Sequence, residues 1–127
     1  MNERADGAGI IASLHQARLQ GDLPAMCAHF ADIGRFEIIG SSADKPIRIS
    51  ADNLASFRPW LAMMVKVYRF NNYSLDQVIV DGRRIAANWR VDIHSKVTGV
   101  SVPTELIDLA EVHDGRIVSY KEFFVPR

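Results

Sequence analysis

Apolar residues recur along the first third of the chain at intervals of three and four, and from about Val65 onward the interval becomes two. A helical period that gives way to a strand period predicts helices first and sheet afterwards. Ile10, Ile11, Leu14 and Ala17 mark a helix near residues 9–20, and Gly21-Asp22 suits the end of that helix and the cap of the next. In the second helix, near 22–31, Leu23, Met26, Cys27 and Phe30 share one face, with Pro24 in the first turn, where its missing N–H costs nothing. Arg35 to Ile39 reads as a short strand closed by Gly40, and Ser41 to Lys45 as a loop before Pro46. Ser50 can cap a third helix near 50–64, whose stripe is Leu54, Phe57, Leu61 and Met64 and which Pro59 should kink or split.

Val65–Val80, Arg84–Val97, Thr104–His113 and Arg116–Val125 are strand-rich, and Asp81-Gly82 and Asp114-Gly115 are two-residue hairpin signals. Thr98 to Pro103, with Gly99, is the other break. The C-terminal half therefore reads as an antiparallel meander, and the fold class as α+β. Repeats, low-complexity tracts and linkers are missing from the pattern, so residues 1–127 are expected to form one domain.

Composition narrows the classes of function. The chain is 48 % hydrophobic and 24 % charged, the profile of a globular protein rather than a disordered one. Fifteen basic and fifteen acidic residues cancel and are interspersed, which removes the field that draws nucleic acid. Met1 to Gly9 carries both signs of charge without an apolar run, and no stretch has the roughly eighteen apolar residues of a span, so a cytoplasmic location away from membranes is expected. Cys27 is alone among Met26, Ala28 and Phe30 and reads as a packed thiol. The four histidines have no ligand-like spacing, and neither a P-loop nor a Gly-x-Ser-x-Gly elbow occurs, so no metal or cofactor is expected.

The element order, with Gly21-Asp22-Leu23 at the first corner and Phe30-Ala31-Asp32 before a short strand, resembles the nuclear transport factor 2-like superfamily over about residues 9–125. The resemblance implies a cone-shaped α+β barrel, in which three N-terminal helices pack inside a strongly bent, mainly antiparallel sheet. It also implies a pocket for small, mainly apolar ligands at the open end of the cone. Members include ketosteroid isomerase, SnoaL-type polyketide cyclases, limonene epoxide hydrolase and scytalone dehydratase, alongside proteins that only bind, so fold does not fix function. Leu106-Ile107-Asp108 followed by Asp114-Gly115-Arg116-Ile117 is similar to the isomerase segment that carries an oxyanion-holding aspartic acid, which would fall on Asp108. Leu14 and Ile38 stand where that isomerase has its tyrosine and its aspartate base. Arg90-Val91-Asp92 resembles the Arg-x-Asp pair of limonene epoxide hydrolase, and Tyr120-Lys121-Glu122-Phe123-Phe124 its final strand, which places Glu122 at the catalytic aspartate. Phe36 and Ile38 replace the tyrosine and asparagine that hold water in that hydrolase.

The period-two pattern puts Arg90, Asp92 and His94 on one face of their strand and Ile85, Ala87, Trp89, Val91 and Ile93 on the other. Periodicity alone sends the polar face to solvent, whereas the resemblance turns it into the cone. In the second case Arg90 bridges Asp92 and Glu122, and the two carboxylates share proton transfer, Glu122 as the base. The alternative for Glu122 is a cross-strand ion pair. Asp108, between Ile107 and Leu109, must be buried with a partner or stand at the pocket wall, and the wall is the expected place. The candidate catalytic residues are thus Glu122, Asp92, Arg90 and Asp108. Leu14, His15, Phe30, Phe36, Ile38, Phe57, Trp60, Tyr68, His94, Tyr120 and Phe124 are the candidate lining, the aromatic ones being equally suited to a plain core. Either a cofactor-independent hydrolase, lyase or isomerase or a non-catalytic binding module fits these residues. A homodimer is expected through an outer face bearing Trp89, Val91, Ile93, Ile107 and Leu109, which is more apolar surface than a monomer leaves bare.

Overall fold

The computed structural model describes residues 3–42 and 45–127. Its elements are α1 (Glu3–Gln20), α2 (Leu23–Ala28), β1 (Phe30–Ser42), β2 (Lys45–Asn53), α3 (Leu54–Val67), β3 (Tyr68–Asp81), β4 (Arg84–Ser95), β5 (Ser101–His113) and β6 (Arg116–Pro126). The six strands form one curved mixed sheet in the order β2-β1-β6-β5-β4-β3, antiparallel throughout except for the parallel pair β1/β6. The α+β class, the three helices and the meander β3 to β6 are as the sequence pattern predicts.

Local chemistry explains the boundaries. Gly21 takes φ +66°, which ends α1, and Asp22 caps α2 by accepting from the Ala25 N–H at 3.1 Å. Asp114 and Gly115 both have positive φ, as a type I′ hairpin turn requires. Asn53 caps α3 by accepting from the Ser56 N–H at 2.8 Å.

Four expectations are corrected. The chain from Lys45 to Asn53 is a strand, so Ser50 lies in β2 and is not the cap of α3. Ile47, Ile49 and Ala51 turn inward while Arg48, Ser50 and Asp52 stay exposed, and an edge strand tolerates Pro46. Pro59 lies inside α3 without splitting it. Helix α2 ends at Ala28, and Phe30-Ala31-Asp32 already belongs to β1. Of the loop expected at Ser41–Lys45, Ser41 and Ser42 belong to β1 and Lys45 to β2, and Ala43 and Asp44 lie outside the described residues, as do Met1 and Asn2.

The helices cover the concave face. The larger part of the core is an aromatic cluster: Phe30 packs at 5.2 Å from Phe36, 5.6 Å from Phe57 and 5.5 Å from Tyr120, and Phe36 stacks on Phe57 at 5.3 Å. Leu14, Phe30, Phe36, Ile38, Phe57 and Tyr120 all belong to this core, which fills the volume that a wide cavity between them would need. The close approach of β1 and β6 has a backbone reason: a Cβ on Gly40 would stand 2.5 Å from the Phe124 carbonyl oxygen and ring. No helix among the described residues is long and apolar enough to cross a membrane.

Candidate functional site

A second part of the core lies under α1, around Trp89, Val91 and Leu106. One face of α1 runs through Ile11, Leu14, His15 and Arg18, positions three and four apart. Two of these four are basic, and both are directed at the sheet. There they meet Asp108 on β5 and Glu122 on β6, which stand opposite each other in the strand register. Directly opposed residues have Cβ atoms about 5 Å apart, so two carboxyl groups share one buried spot. Asp108 is 0 % exposed and Glu122 2 %.

Each acid has a basic residue of α1 as partner and a second donor. Asp108 Oδ2 lies 2.7 Å from His15 Nε2, and Oδ1 accepts from the indole N–H of Trp89 at 3.0 Å. His15 Nδ1 lies 2.8 Å from the Tyr73 hydroxyl, and its ring lies 4.2 Å from that of Trp89. Tyr73 reaches this place because β3 carries an extra residue: between the pairs Asn71–Asp92 and Ser74–Arg90, Asn72 and Tyr73 stand against Val91 alone, and Asn72 takes φ +56°. Glu122 Oε1 accepts from Arg18 Nη1 and, at 3.0 Å, from the Tyr120 hydroxyl. The guanidinium carbon of Arg18 lies 4.9 Å from the centre of the Phe70 ring and 5.3 Å from that of Trp89.

The electrostatics follow from this burial. Glu122 is pushed up from the usual carboxyl range by burial and by the charge of Asp108, against the pull of Arg18. Burial works against the charge of Arg18, but Glu122 beside it, with Tyr120 and Asp108, holds the guanidinium firmly protonated. The Tyr73 phenol is pushed up to about 12 by burial and by Asp108, and Tyr120 is raised by burial, Asp108 and Glu122. Two buried carboxyl groups in one place, one of them with a raised proton affinity, can take part in proton transfer. Arg18 also lines a shallow recess with Met26, Met64, Val65, Tyr68 and Phe70, which has room for about one water.

Several sequence expectations are corrected by where the side chains lie. Arg90 and Asp92 are on the outer face: Arg90 Nε donates to Asp76 at 2.7 Å, and Asp92 accepts from the Asn72 amide at 2.7 Å. Neither reaches Glu122, whose arginine is Arg18 instead. The cause is the period of two. Ile85, Ala87, Trp89 and Val91 are at most 3 % exposed, and burying that apolar face sends Arg90, Asp92 and His94 the other way. His94 accordingly pairs with the Ser101 hydroxyl across the outer face at 2.8 Å. Asp108 is buried with a partner rather than standing at an open wall. Trp89 and Val91 are buried and Ile93 packs inward, so these three do not contribute to an outer apolar face, whereas Ile107 and Leu109 are exposed there. Trp60 is 44 % exposed on α3, Phe124 is half-buried, and Tyr68 is the one expected lining residue that borders the recess.

His15, Asp108, Tyr120 and Glu122 are therefore brought together, and Arg18, Tyr73 and Trp89 join them unanticipated. The signal for Arg18 was present: an apolar helical stripe that continues through His15 and Arg18 instead of breaking. Cys27 is buried, and its thiol is pushed up by that burial.

A curved sheet closed over by three helices, with a charged cluster on its concave side, defines the α+β cone of the nuclear transport factor 2-like proteins. Residues 11–120 match the model of the SnoaL-like domain, and the chain belongs to that family. Similar solved structures include a candidate isomerase from Bacillus subtilis, with a TM-score of 0.84, 21 % identity and coverage of 98 % of this chain and 89 % of that one. An LEH-like epoxide hydrolase from M. tuberculosis gives a TM-score of 0.76 at 16 % identity, covering 97 % of this chain and 85 % of that one. A candidate polyketide cyclase from Xanthomonas campestris pv. campestris gives 0.71 at 21 % identity, covering 96 % and 92 %. At these identities the likeness is one of fold. No curated protein matches the sequence.

Proposed function

We propose that this chain is a cofactor-independent enzyme that moves a proton on a small, mainly apolar substrate, with Glu122 and Asp108 as its acid/base carboxyl groups. The observation that supports this most directly is the cross-strand pair itself: two buried carboxyl groups in register, each held by a different basic residue of one helix. Glu122, with its raised proton affinity, is the group that takes the proton. Arg18 and Tyr120 fix its orientation, and Asp108, steadied by His15 and Trp89, sets the local field. Isomerisation, elimination and ring opening all begin or end with such a transfer, so the reaction class is a lyase, isomerase or hydrolase. Neighbours of similar fold named for isomerase, cyclase and epoxide hydrolase activities agree with that range. Arg90 and Asp92 have no part in it.

A second reading, a non-catalytic ligand-binding module, draws on one observation: Phe30, Phe36, Phe57 and Tyr120 fill the volume expected to be pocket. Proton exchange separates the two. In D2O, a panel of small cyclic ketones, enones and epoxides is followed by NMR for replacement of C–H by C–D or for ring opening, with the wild type and Glu122→Gln. The enzyme reading expects turnover that falls by about two to four orders of magnitude in the variant. Equal rates for the two proteins across the panel would overturn it.

A further inference from the structure

Arg18 has more hydrogen-bonding capacity than the cluster uses. A guanidinium carries five N–H donors in a planar fork, and among the described residues its hydrogen bond goes to Glu122 through Nη1. No buried side-chain nitrogen or oxygen among the described residues lacks a partner. The nitrogens that Glu122 does not engage therefore keep some accessible surface, and Arg18 is one of the residues that line the recess. The edge left over is that of Nε and Nη2, the geometry that grips a carboxylate with two parallel bonds. Around it stand Met26, Met64, Val65, Tyr68 and Phe70, a wall that is apolar except for one phenol. A guanidinium with an unengaged edge in an apolar wall favours an anion with an apolar body over a neutral polar group.

We propose that this recess is a subsite for the carboxylate of a small, apolar substrate, gripped by the free edge of Arg18 while the other edge keeps Glu122. The inference rests on the acid/base reading and adds the chemical class of the substrate: an apolar carboxylic acid whose reacting carbon is delivered next to Glu122. The recess holds little more than one water, so seating a carboxylate requires the half-buried side chains of Met64 and Phe70 to turn. Methionine, unbranched with three rotatable bonds, gives way readily. The arrangement also makes Glu122 and the ligand competitors for one cation. Removing the charge of Glu122 should therefore strengthen the grip on the ligand, which a purely structural Arg18 would not do.

The test uses cyclohexanecarboxylate and benzoate as probes, with cyclohexanecarboxamide and benzamide as neutral counterparts, titrated into the whole chain by calorimetry and by NMR of the Arg18 Nε–H. The expected result is saturable carboxylate binding that moves the Arg18 signal, at least about tenfold tighter than the matching amide, the range of a charge-assisted hydrogen bond. Glu122→Gln should tighten the carboxylate by a further several-fold. Arg18→Gln should abolish it, and because that change strands the buried Glu122, the doubly neutral Arg18→Gln/Glu122→Gln chain serves as the folded control that also fails to bind. Equal affinity for acid and amide, carboxylate binding that survives in the double variant, or no carboxylate binding up to about 10 mM, weaker than the millimolar affinity that corresponds to about 4 kcal/mol, would each overturn the subsite. The two readings fail separately. Carboxylate binding without any dependence of proton exchange on Glu122 would leave the subsite and remove the enzyme, whereas Glu122-dependent exchange on neutral ketones by a chain blind to carboxylates would do the reverse.

Discussion

Asp108→Asn should reverse the tautomer of His15 while leaving the fold in place. Where Asp108 is a carboxylate it accepts at both oxygens, from Trp89 Nε1–H at Oδ1 and from His15 Nε2 at Oδ2, and in the neutral imidazole that puts the hydrogen on Nε2 and leaves Nδ1 to accept from the Tyr73 hydroxyl. Asparagine can keep its carbonyl on the indole, but its amide nitrogen then faces Nε2 as a donor. The imidazole must move its hydrogen to Nδ1, and Tyr73 must turn its own hydroxyl hydrogen toward the half-exposed side. Every buried group remains satisfied, so the cost is that of exchanging two charge-assisted bonds for neutral ones, about 1 kcal/mol each. Relief of the repulsion with Glu122 and of the desolvation of one carboxylate offsets part of this, which leaves a net destabilisation of about 1–2 kcal/mol. Asp108→Ala differs, since it leaves His15 Nε2 and the Trp89 indole N–H without partners in a fully buried place, at about 1–3 kcal/mol each. Urea unfolding gives both numbers, and the 15N shifts of the two imidazole nitrogens give the position of the hydrogen. Persistence of the Nε2–H form in Asp108→Asn, or equal losses of stability in the asparagine and alanine variants, would refute the network as described.

Two further outcomes follow from the same geometry. The proton affinity of Glu122 is higher in the folded chain than a free carboxyl's, so folding binds that proton more tightly. Its contribution is fully present below the unfolded pKa of about 4.3 and is lost as pH rises through the folded value, so the urea midpoint of the wild type should fall relative to that of Glu122→Gln across that window. On the outer face Ile107 stands directly opposite Phe123, with Leu109 and Val125 nearby and all four exposed; we propose that a second copy covers this patch, and light scattering at high micromolar concentration should show a dimer that Phe123→Glu converts to a monomer.

How much of this the sequence discloses depends on range. The helix corner at Gly21-Asp22 and the turn at Asp114-Gly115 are written in adjacent residues and read directly. Strand β2 was missed because Ser50 imitates a helix cap, although the alternation Ile47, Ile49, Ala51 was there to be counted. The face of β4 shows a different kind of limit. A period of two defines two faces without saying which is inside, and the likeness to an Arg-x-Asp pair favoured Arg90 and Asp92, while the burial of Trp89 and Val91 decides for the other side. Glu122 and Asp108 were legible as acids in apolar strands. Their partners were not, because His15 lies 93 residues from Asp108 and Arg18 lies 104 from Glu122, and an arginine on an amphipathic helix ordinarily belongs to the solvent face.

The placement of the cluster separates its chemistry from the stability of the fold. The rings of Phe30, Phe36 and Phe57 pack between β1 and α3, and large buried aromatic residues are where truncation costs about 3–5 kcal/mol each. The charged groups lie at the other side of the core, under α1, joined to the first part through Tyr120, which touches Phe30 with its ring and Glu122 with its hydroxyl. Buried ion pairs are commonly no more stabilising than well-packed apolar residues of the same volume. The four-residue set of His15, Arg18, Asp108 and Glu122 is therefore a poor device for holding the sheet and helices together, when leucine or methionine would serve at those positions. What the set supplies that apolar side chains cannot is a carboxyl group of raised proton affinity and a fixed positive charge beside a recess. Changes within it that keep shape and hydrogen bonds, such as Glu122→Gln, can then act on proton transfer while the aromatic half keeps the chain folded.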